Sequence, residues 1–217
     1  MMRLLQVSRI EPHLASARLL FAVALLLISF TSPANPSKSR DGCRGAQVSG
    51  HYFPSSGKQE PDAIMDEWFA KALAAMKEPS LLCATDVIVY RFLWLRTFHH
   101  PISVRVTDDG KHISMVAIEL DGQGGYSFGV QSRHRASEIS REQFNALTKD
   151  FSPTDFGKLP TRQGDAGLDG AEWIFEVSDH GKYHVVERWS PRNDALVDFG
   201  LRFLKLTGWT FNQHEIY

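Results

Sequence analysis

Four residues near the end of the chain have types and spacing that could support chemistry. Glu172 and Glu176 fall on one predicted strand, and His184 and Arg188 fall on the next. With a three-residue loop over residues 179–181, Glu172 lies opposite Arg188 and Glu176 lies opposite His184. Two carboxylates, an imidazole and a guanidinium on adjacent strands could bind a carboxylate or amine ligand, or position an acid and a base.

The same four residues also suit an exposed structural face. Cross-strand pairs of opposite charge commonly stabilise a solvated sheet face, by about 0.2–1 kcal/mol each. In this register the other face is apolar apart from Glu187, and we expect it to pack on the core. It carries Trp173, Phe175, Val177, Tyr183, Val185 and Trp189.

A second pattern concerns nucleophilic catalysis. Gly125–Gly129 reads G-Y-S-F-G and matches the G-x-S-x-G elbow of serine hydrolases. The elbow requires a strand before the serine and a helix directly after it. Residues 126–131 instead alternate apolar and polar side chains, so Ser127 is expected inside a strand. We therefore do not predict a serine nucleophile.

Histidine and cysteine residues suggest metal or redox sites, but their spacing supports neither. No H-E-x-x-H sequence occurs, and His99 and His100 would point to opposite faces of a strand. The sequence predicts no metal site and no cofactor. Cys43 and Cys83 form no C-x-x-C motif, and an even count in an exported chain favours one disulfide between them.

The surrounding elements indicate an α+β fold with an antiparallel meander of about five or six strands. A helix from Pro61 is followed by a long buried strand over 86–98 and by a hairpin at Asp109–Gly110. Ile102, Val104 and Val106 should share a face of that hairpin with Ile113, Met115 and Ala117.

Two further helices complete the expected set of about three. Ser140 and Gln143 form a capping box ahead of Phe144, Leu147 and Phe151. A last helix runs from Pro191 or Asp194 to about Leu206. One face of the sheet should pack on these three helices.

Three short stretches around the last hairpin resemble a known pattern. They are Asp169–Trp173, Gly181–His184 and Arg188–Pro191. Together they are similar to D-G-x-x-W…G-x-Y-H-x-x-x-R-W-S-P of uncharacterised exported bacterial proteins. The resemblance covers mainly residues 140–208 and, more faintly, 90–130. It implies a location in the bacterial cell envelope and carries no known activity, so it transfers no functional residue.

The N-terminal residues predict export. Three arginines precede a mostly apolar run over 19–30, which is followed by small residues up to Ala34. The run is short against the roughly 20 residues of a membrane-spanning helix, so we expect cleavage after Ala34 and a periplasmic or secreted chain without a stable membrane span. The alternative is an inner-membrane anchor formed by an uncleaved N-terminal helix. Residues 35–60 would then be an irregular, disulfide-tethered segment, and 61–217 one domain.

Composition limits the partners. The whole chain has 24 basic and 25 acidic side chains, which gives no electrostatic signature for nucleic acid. We expect a non-enzymatic binding or structural domain with a protein or small-molecule partner in the cell envelope. The alternatives are a periplasmic hydrolase with a polar site around His184, and a small secreted inhibitor or immunity-type protein.

Overall fold

The computed structural model describes residues 52–54, 60–164, 167–192 and 194–217, with the backbone alone for residues 60–65. The predicted signal peptide over 1–34, Cys43 and most of the predicted irregular segment 35–60 lie outside the described residues. No helix among the described residues has the length and apolar character needed to span a membrane.

The fold is α+β, as the sequence predicts. The strands are β1 Ile88–Arg96, β2 Ile102–Asp108, β3 Ile113–Leu120, β4 Gln131–Glu138, β5 Ala171–Asp179 and β6 Lys182–Trp189. The α-helices are α1 Glu60–Ala75, α2 Arg141–Thr148, the single turn α3 Pro153–Phe156, and α4 Ala195–Thr207. Short 3-10 turns occupy Leu81–Cys83 and Gln213–Glu215.

All six strands form one open antiparallel sheet in the order β4-β3-β2-β1-β5-β6. The first four strands are a meander. The chain then crosses one face through α2 and α3, and β5 pairs with β1 rather than with β4. This return makes β1 and β5 interior strands and leaves β4 and β6 at the edges.

Helices cover both faces of β1 and β5, whereas the sequence predicted helices on one face of the sheet. Helices α2, α3 and α4 cover a large aromatic core on the first face, which includes Tyr90, Phe92, Trp94, Trp173, Phe175, Phe199 and Phe203. Helix α1 covers the second face, where Phe69 and Leu73 pack near Leu93 and Ile174. The reason is that β1 is apolar on both sides, so a helix on one side alone would leave Leu93 in water.

The β2–β3 hairpin has the predicted faces but not the predicted turn. Asp108 pairs with Ile113, so four residues connect the strands instead of two. The Asp109 side chain explains the longer loop, because its Oδ1 accepts hydrogen bonds from the backbone N–H groups of Lys111 (2.8 Å) and His112 (2.7 Å). The register shifts by two residues, and a shift of two keeps every side chain on its predicted face.

The predicted register of the β5–β6 hairpin is wrong by one residue. His180 and Gly181 have φ values of 48° and 87°, and Asp179 pairs with Lys182. The turn therefore has two residues and not three. Two left-handed residues in succession match the right-handed twist of the strands.

A predicted strand over 126–131 is also absent, because β4 begins only at Gln131. The preceding residues form a tight loop in which the Asp121 carboxylate accepts from the Val130 N–H (2.8 Å). Gly129 has a φ of 71°, a conformation that strands do not use. Trp68 of α1 donates to the Gly124 carbonyl (2.9 Å) and fixes the loop on the second face.

The predicted start of α2 and the predicted start and end of α4 are confirmed, whereas α2 ends at Thr148, before Phe151. Ser140 and Gln143 form the expected capping box at α2. Asp194 caps α4 by accepting from the Leu196 N–H (3.0 Å), and Gly208 ends it with a φ of 66°. These local signals fix where α2 and α4 lie on the first face.

Candidate functional site

The structure separates the four residues that the sequence placed together. The corrected register puts Glu172 opposite Trp189 and Glu176 opposite Val185 on the second face of the sheet. It puts His184 and Arg188 on the first face. The proposed four-residue cluster therefore does not form.

Glu176 belongs to a buried ion-pair cluster with Arg91, Glu78, Arg105 and Tyr183. Arg91 is fully buried and donates from Nε and Nη2 to the two oxygens of Glu176, at 2.6 and 2.7 Å. Tyr183 donates to the same carboxylate at 2.8 Å. Burial lowers the pKa of Arg91, but the Glu176 carboxylate outweighs it and the net shift is upward.

Glu78 completes this cluster from the segment after α1. Its Oε2 accepts from Arg105 Nε at 2.8 Å and lies 3.4 Å from Arg91 Nη1. The cluster joins β1, β2, β5 and β6 to the end of α1. Charge-assisted bonds of this kind, with both partners out of water, fix strand register, so we interpret the cluster as structural.

Glu172 lies in a different environment, beside Glu187. The Glu172 side chain is buried, and among the described residues no arginine or lysine bonds to either of its carboxylate oxygens. Burial, followed by the negative charge of Glu187, raises the pKa of Glu172 to about 8. Arg162 Nε bonds to Glu187, and its Nη2 reaches Asp66 of α1 at 3.2 Å. The raised pKa favours the protonated form of Glu172 at neutral pH.

His184 and Arg188 hold the loop after α3. His184 Nε2 lies 2.8 Å from the Leu159 carbonyl oxygen, and the ring stands edge-on to Phe156. Arg188 Nη1 donates to the Pro160 carbonyl at 3.1 Å. Both side chains satisfy backbone groups of this loop, and this is a structural use of polar residues.

The strongest candidate site lies instead where β1, β3 and β4 meet the C-terminal segment. We call it the strand-end pocket. It is an open cavity of about 520 Å³ on the first face of the sheet. Its lining residues are Arg96, Phe98, His99, His100, Glu119, Ser132, Arg133, Thr210, Phe211 and Glu215.

One side of the strand-end pocket is formed by Glu119 of β3 and Arg133 of β4. Arg133 donates to both oxygens of the buried Glu119 carboxylate, with Nη2 at 2.9 Å. The guanidinium also lies over the Trp209 ring, 4.4 Å from its centre. His100 Nδ1 is 3.8 Å from the same carboxylate. The bond to Glu119 raises the pKa of Arg133.

The other side is formed by Arg96 and the C-terminal segment. Arg96 is 2% exposed, stacks on Trp94, and contacts Glu215 at 3.2 Å and the His100 carbonyl at 2.8 Å. Its Nε is buried without a hydrogen-bond partner among the described residues. Arg96 thus connects β1 to both loops that line the pocket.

Two pKa shifts define the charge state of the strand-end pocket. Burial and the nearby Arg96 lower the pKa of His99, whose Nδ1 lies 2.8 Å from the Tyr217 hydroxyl. A hydrogen bond from Asn212 and the charge of Arg96 lower the pKa of Glu215. At neutral pH the pocket therefore combines two guanidinium–carboxylate pairs with an uncharged His99 ring.

The sequence pointed to His99 and His100 as possible metal ligands but predicted that they lie in a strand. Strand β1 ends at Arg96, so the two histidines follow it in a loop and both line the pocket. Arg96 and Glu119 were missed, although they carried a signal. Every second residue of these strands faces the core. On that face Arg96 follows Trp94 in β1, and Glu119 follows Ala117 in β3, so a charged side chain ends each apolar row. A charged residue at the end of an apolar face can mark a cavity there.

The remaining candidates from the sequence are Ser127, a metal site and the two cysteines. Ser127 is exposed in the 121–130 loop and is followed by β4 rather than by the helix of a nucleophile elbow. Within the described part of the chain, no three His, Cys, Asp or Glu side chains are arranged to hold a metal ion. Cys83 ends the 3-10 turn before β1, while Cys43 lies outside the described residues, so the disulfide stays a prediction.

Comparison with known proteins gives no further guide to this pocket. No protein-family model matches the chain, and none of the curated proteins is similar to it.

Proposed function

We propose that the protein is an exported, non-enzymatic binding domain whose strand-end pocket takes a small polar ligand. One observation carries the proposal. One open cavity of about 520 Å³ is lined by two guanidinium–carboxylate pairs and two histidines. These side chains come from β1 and the loop after it, from β3 and β4, and from the C-terminal segment. Small-molecule sites typically have volumes of roughly 300–1,000 Å³ with a few convergent polar groups.

The accessible groups indicate the chemistry of the ligand. The side chains of Arg133 and His100 are 42% and 51% exposed and can donate to an anionic group. Glu215 is 23% exposed and can accept from an ammonium group. A ligand that carries both charges, such as an amino acid or a similar zwitterion, matches this arrangement.

The pairing of the charges favours binding over catalysis. Glu119 and Glu215 each bond to an arginine. The Asn212 hydrogen bond and the charge of Arg96 lower the pKa of Glu215, which makes it a weaker base. His99 is already bonded to Tyr217. Such mutually paired side chains are preorganised for recognition and are poorly suited to proton transfer.

The proposed export is based on the sequence pattern of residues 1–34. It determines the compartment in which the domain would bind its ligand. In the periplasm or outside the cell, the domain would bind its ligand or partner in the cell envelope.

NMR titration of the full chain with amino acids and their charge-blocked analogues tests the proposal. Zwitterions should shift the imidazole resonances of His99 and His100, whereas methyl esters and N-acetyl derivatives should bind at least tenfold more weakly. His100→Gln should weaken binding several-fold. The matched control His112→Gln changes an exposed histidine outside the pocket and should have no effect. Equal binding of zwitterions and blocked analogues, or no response of either pocket histidine at millimolar ligand, would refute it.

A further inference from the structure

Strand β4 is an open edge of the sheet. Seven of its eight residues are exposed, and in the described part of the chain only β3 pairs with it. Among the described residues, no backbone group bonds to the outer side of β4. The opposite edge differs, because Glu187 of β6 donates its N–H to the Thr161 carbonyl at 2.7 Å. An exposed strand with unpaired N–H and C=O groups can accept a further strand.

Charged side chains often protect such edges, but the arginines of β4 are turned away from the edge. Arg133 bonds to Glu119 and stacks on Trp209. Arg135 Nη1 donates to the Thr207 carbonyl at 2.8 Å. Both guanidiniums therefore lie over the first face of the sheet, toward the end of α4. The outer backbone groups of β4 stay accessible.

A second cavity lies beside β4 on this face, and we call it the edge cavity. It has a volume of about 440 Å³ and lies between Arg135 and helices α2 and α4. Three cations line it, namely Arg135, Arg202 and Lys205, and no carboxylate does. Arg202 Nη1 lies 3.0 Å from Asp150, which does not line the cavity. Arg202 Nη2 is buried without a hydrogen-bond partner among the described residues. The lining of the edge cavity is therefore positively charged, and Lys205 is one of its exposed cations.

We propose that β4 docks an extended segment of a protein partner that carries acidic side chains at alternate positions. The segment would add a seventh strand through backbone hydrogen bonds, about 4.8 Å from β4. Every second side chain of an added strand points to the first face, where it would meet Arg133 and the edge cavity. An acidic side chain there would face the three cations of the edge cavity, Arg135, Arg202 and Lys205.

A second copy of the chain fits this edge less well. Two β4 strands paired across a two-fold axis near His134 would place Arg133 of one copy opposite Arg135 of the other. Like charges directly opposite each other destabilise a strand pair. Charge complementarity therefore favours a different, acidic partner. This proposal does not rest on the ligand proposed for the strand-end pocket. The two surfaces share Arg133, so the test uses Arg135 and Lys205, which do not line that pocket.

Selection from a random display library of twelve-residue peptides against the full chain is the test. Enriched peptides should carry Asp or Glu at alternate positions. A chosen peptide should protect β4 amides from hydrogen exchange, and N-methylation of alternate peptide amides should weaken binding at least tenfold. Lys205→Glu and Arg135→Glu should each weaken it at least tenfold. The matched control Arg192→Glu reverses an exposed charge beyond β6 and should change binding less than twofold.

Three results would overturn the proposal. One is a library without acidic enrichment. Another is binding that tolerates N-methylation, which would indicate attraction by charge without strand addition. The third is β4 protection that depends on protein concentration in the absence of peptide, which would assign the edge to a second copy. Lys205 is exposed on α4, so its variant keeps the test valid even if Arg135→Glu destabilises the fold.

Discussion

At the scale of single residues, burial decides what a charge can do. Arg91 and Glu176 are both fully buried, and each is a bonding partner of the other. Glu172 is buried four residues earlier on the same strand face, with no arginine or lysine bonded to it among the described residues. Its raised pKa favours the protonated form, which avoids the cost of a buried charge. Two glutamates on one face of β5 are therefore in different electrostatic environments.

This difference predicts a pH-dependent stability. Burial and Glu187 raise the folded-state pKa of Glu172 to about 8, whereas the unfolded value is about 4.3. Between these values the folded state binds one proton more than the unfolded state, so stability falls as the pH rises. The loss attributable to Glu172 should reach about 3–5 kcal/mol by pH 8.

Urea unfolding at pH 5 and pH 8 measures this effect. Glu172→Gln should remove most of the difference between the two pH values. Glu67→Gln is the control, since Glu67 is exposed on α1 and its substitution should leave the slope intact. An unchanged slope in Glu172→Gln would show that Glu172 is ionised in the folded protein.

At the scale of elements, the two hairpins show what sequence patterning can determine. For β2–β3, alternation assigned the faces correctly even though the turn was wrong, because a shift of two residues preserves the faces. For β5–β6, the predicted register placed Glu172 and Glu176 on a polar face suited to solvent. Both are buried, and the partner of Glu176 is Arg91, which is distant in sequence and becomes its direct neighbour only through the β1–β5 register. No local pattern contains that information.

The two-residue turn between β5 and β6 makes a specific prediction. His180 has a φ of 48°, which a histidine adopts at some cost and an asparagine adopts more readily. His180→Asn should therefore stabilise the protein by about 0.5 kcal/mol, and Gly181→Ala, at a φ of 87°, should destabilise it by about 1 kcal/mol or more.

Thermal and denaturant unfolding of these two variants distinguish the turn types. A three-residue loop would need a left-handed residue only at Gly181, so His180→Asn would then have no stabilising effect. The exposed His112→Asn is a suitable control, because it makes the same chemical change outside the turn.

At the scale of the whole molecule, the candidate site depends on the way the strands assemble. The sequence indicated every strand except β4 and named His99 and His100, but it could not bring Glu119, Arg133 and Glu215 to them. Those contacts join residues from three separate parts of the chain. They exist because the meander and the C-terminal segment end at the same edge of the first face. Local periodicity identifies elements, and only their packing creates the pocket.

The last prediction concerns the attachment of the N-terminal region to this sheet. The Leu81–Cys83 turn is held against the β5–β6 hairpin, since the Ala84 carbonyl accepts from the Gly181 N–H (2.9 Å) and from Ser178 Oγ (3.2 Å). A disulfide from Cys43 to Cys83 would therefore tether the N-terminal segment to a rigid part of the fold. By closing a long loop it should contribute roughly 4 kcal/mol.

Mass spectrometry of the protein isolated from its native envelope, after thiol labelling under denaturing but non-reducing conditions, checks both export and the disulfide. The chain should begin near Asn35 and take up no label, and reduction should release two thiols and lower the melting temperature. The variant Cys43→Ser with Cys83→Ser should melt at the temperature of the reduced protein. Two labelled thiols before reduction would contradict the disulfide. A chain that retains Met1–Ala34 in the membrane would instead support the uncleaved anchor, because a removed signal cannot hold the domain there.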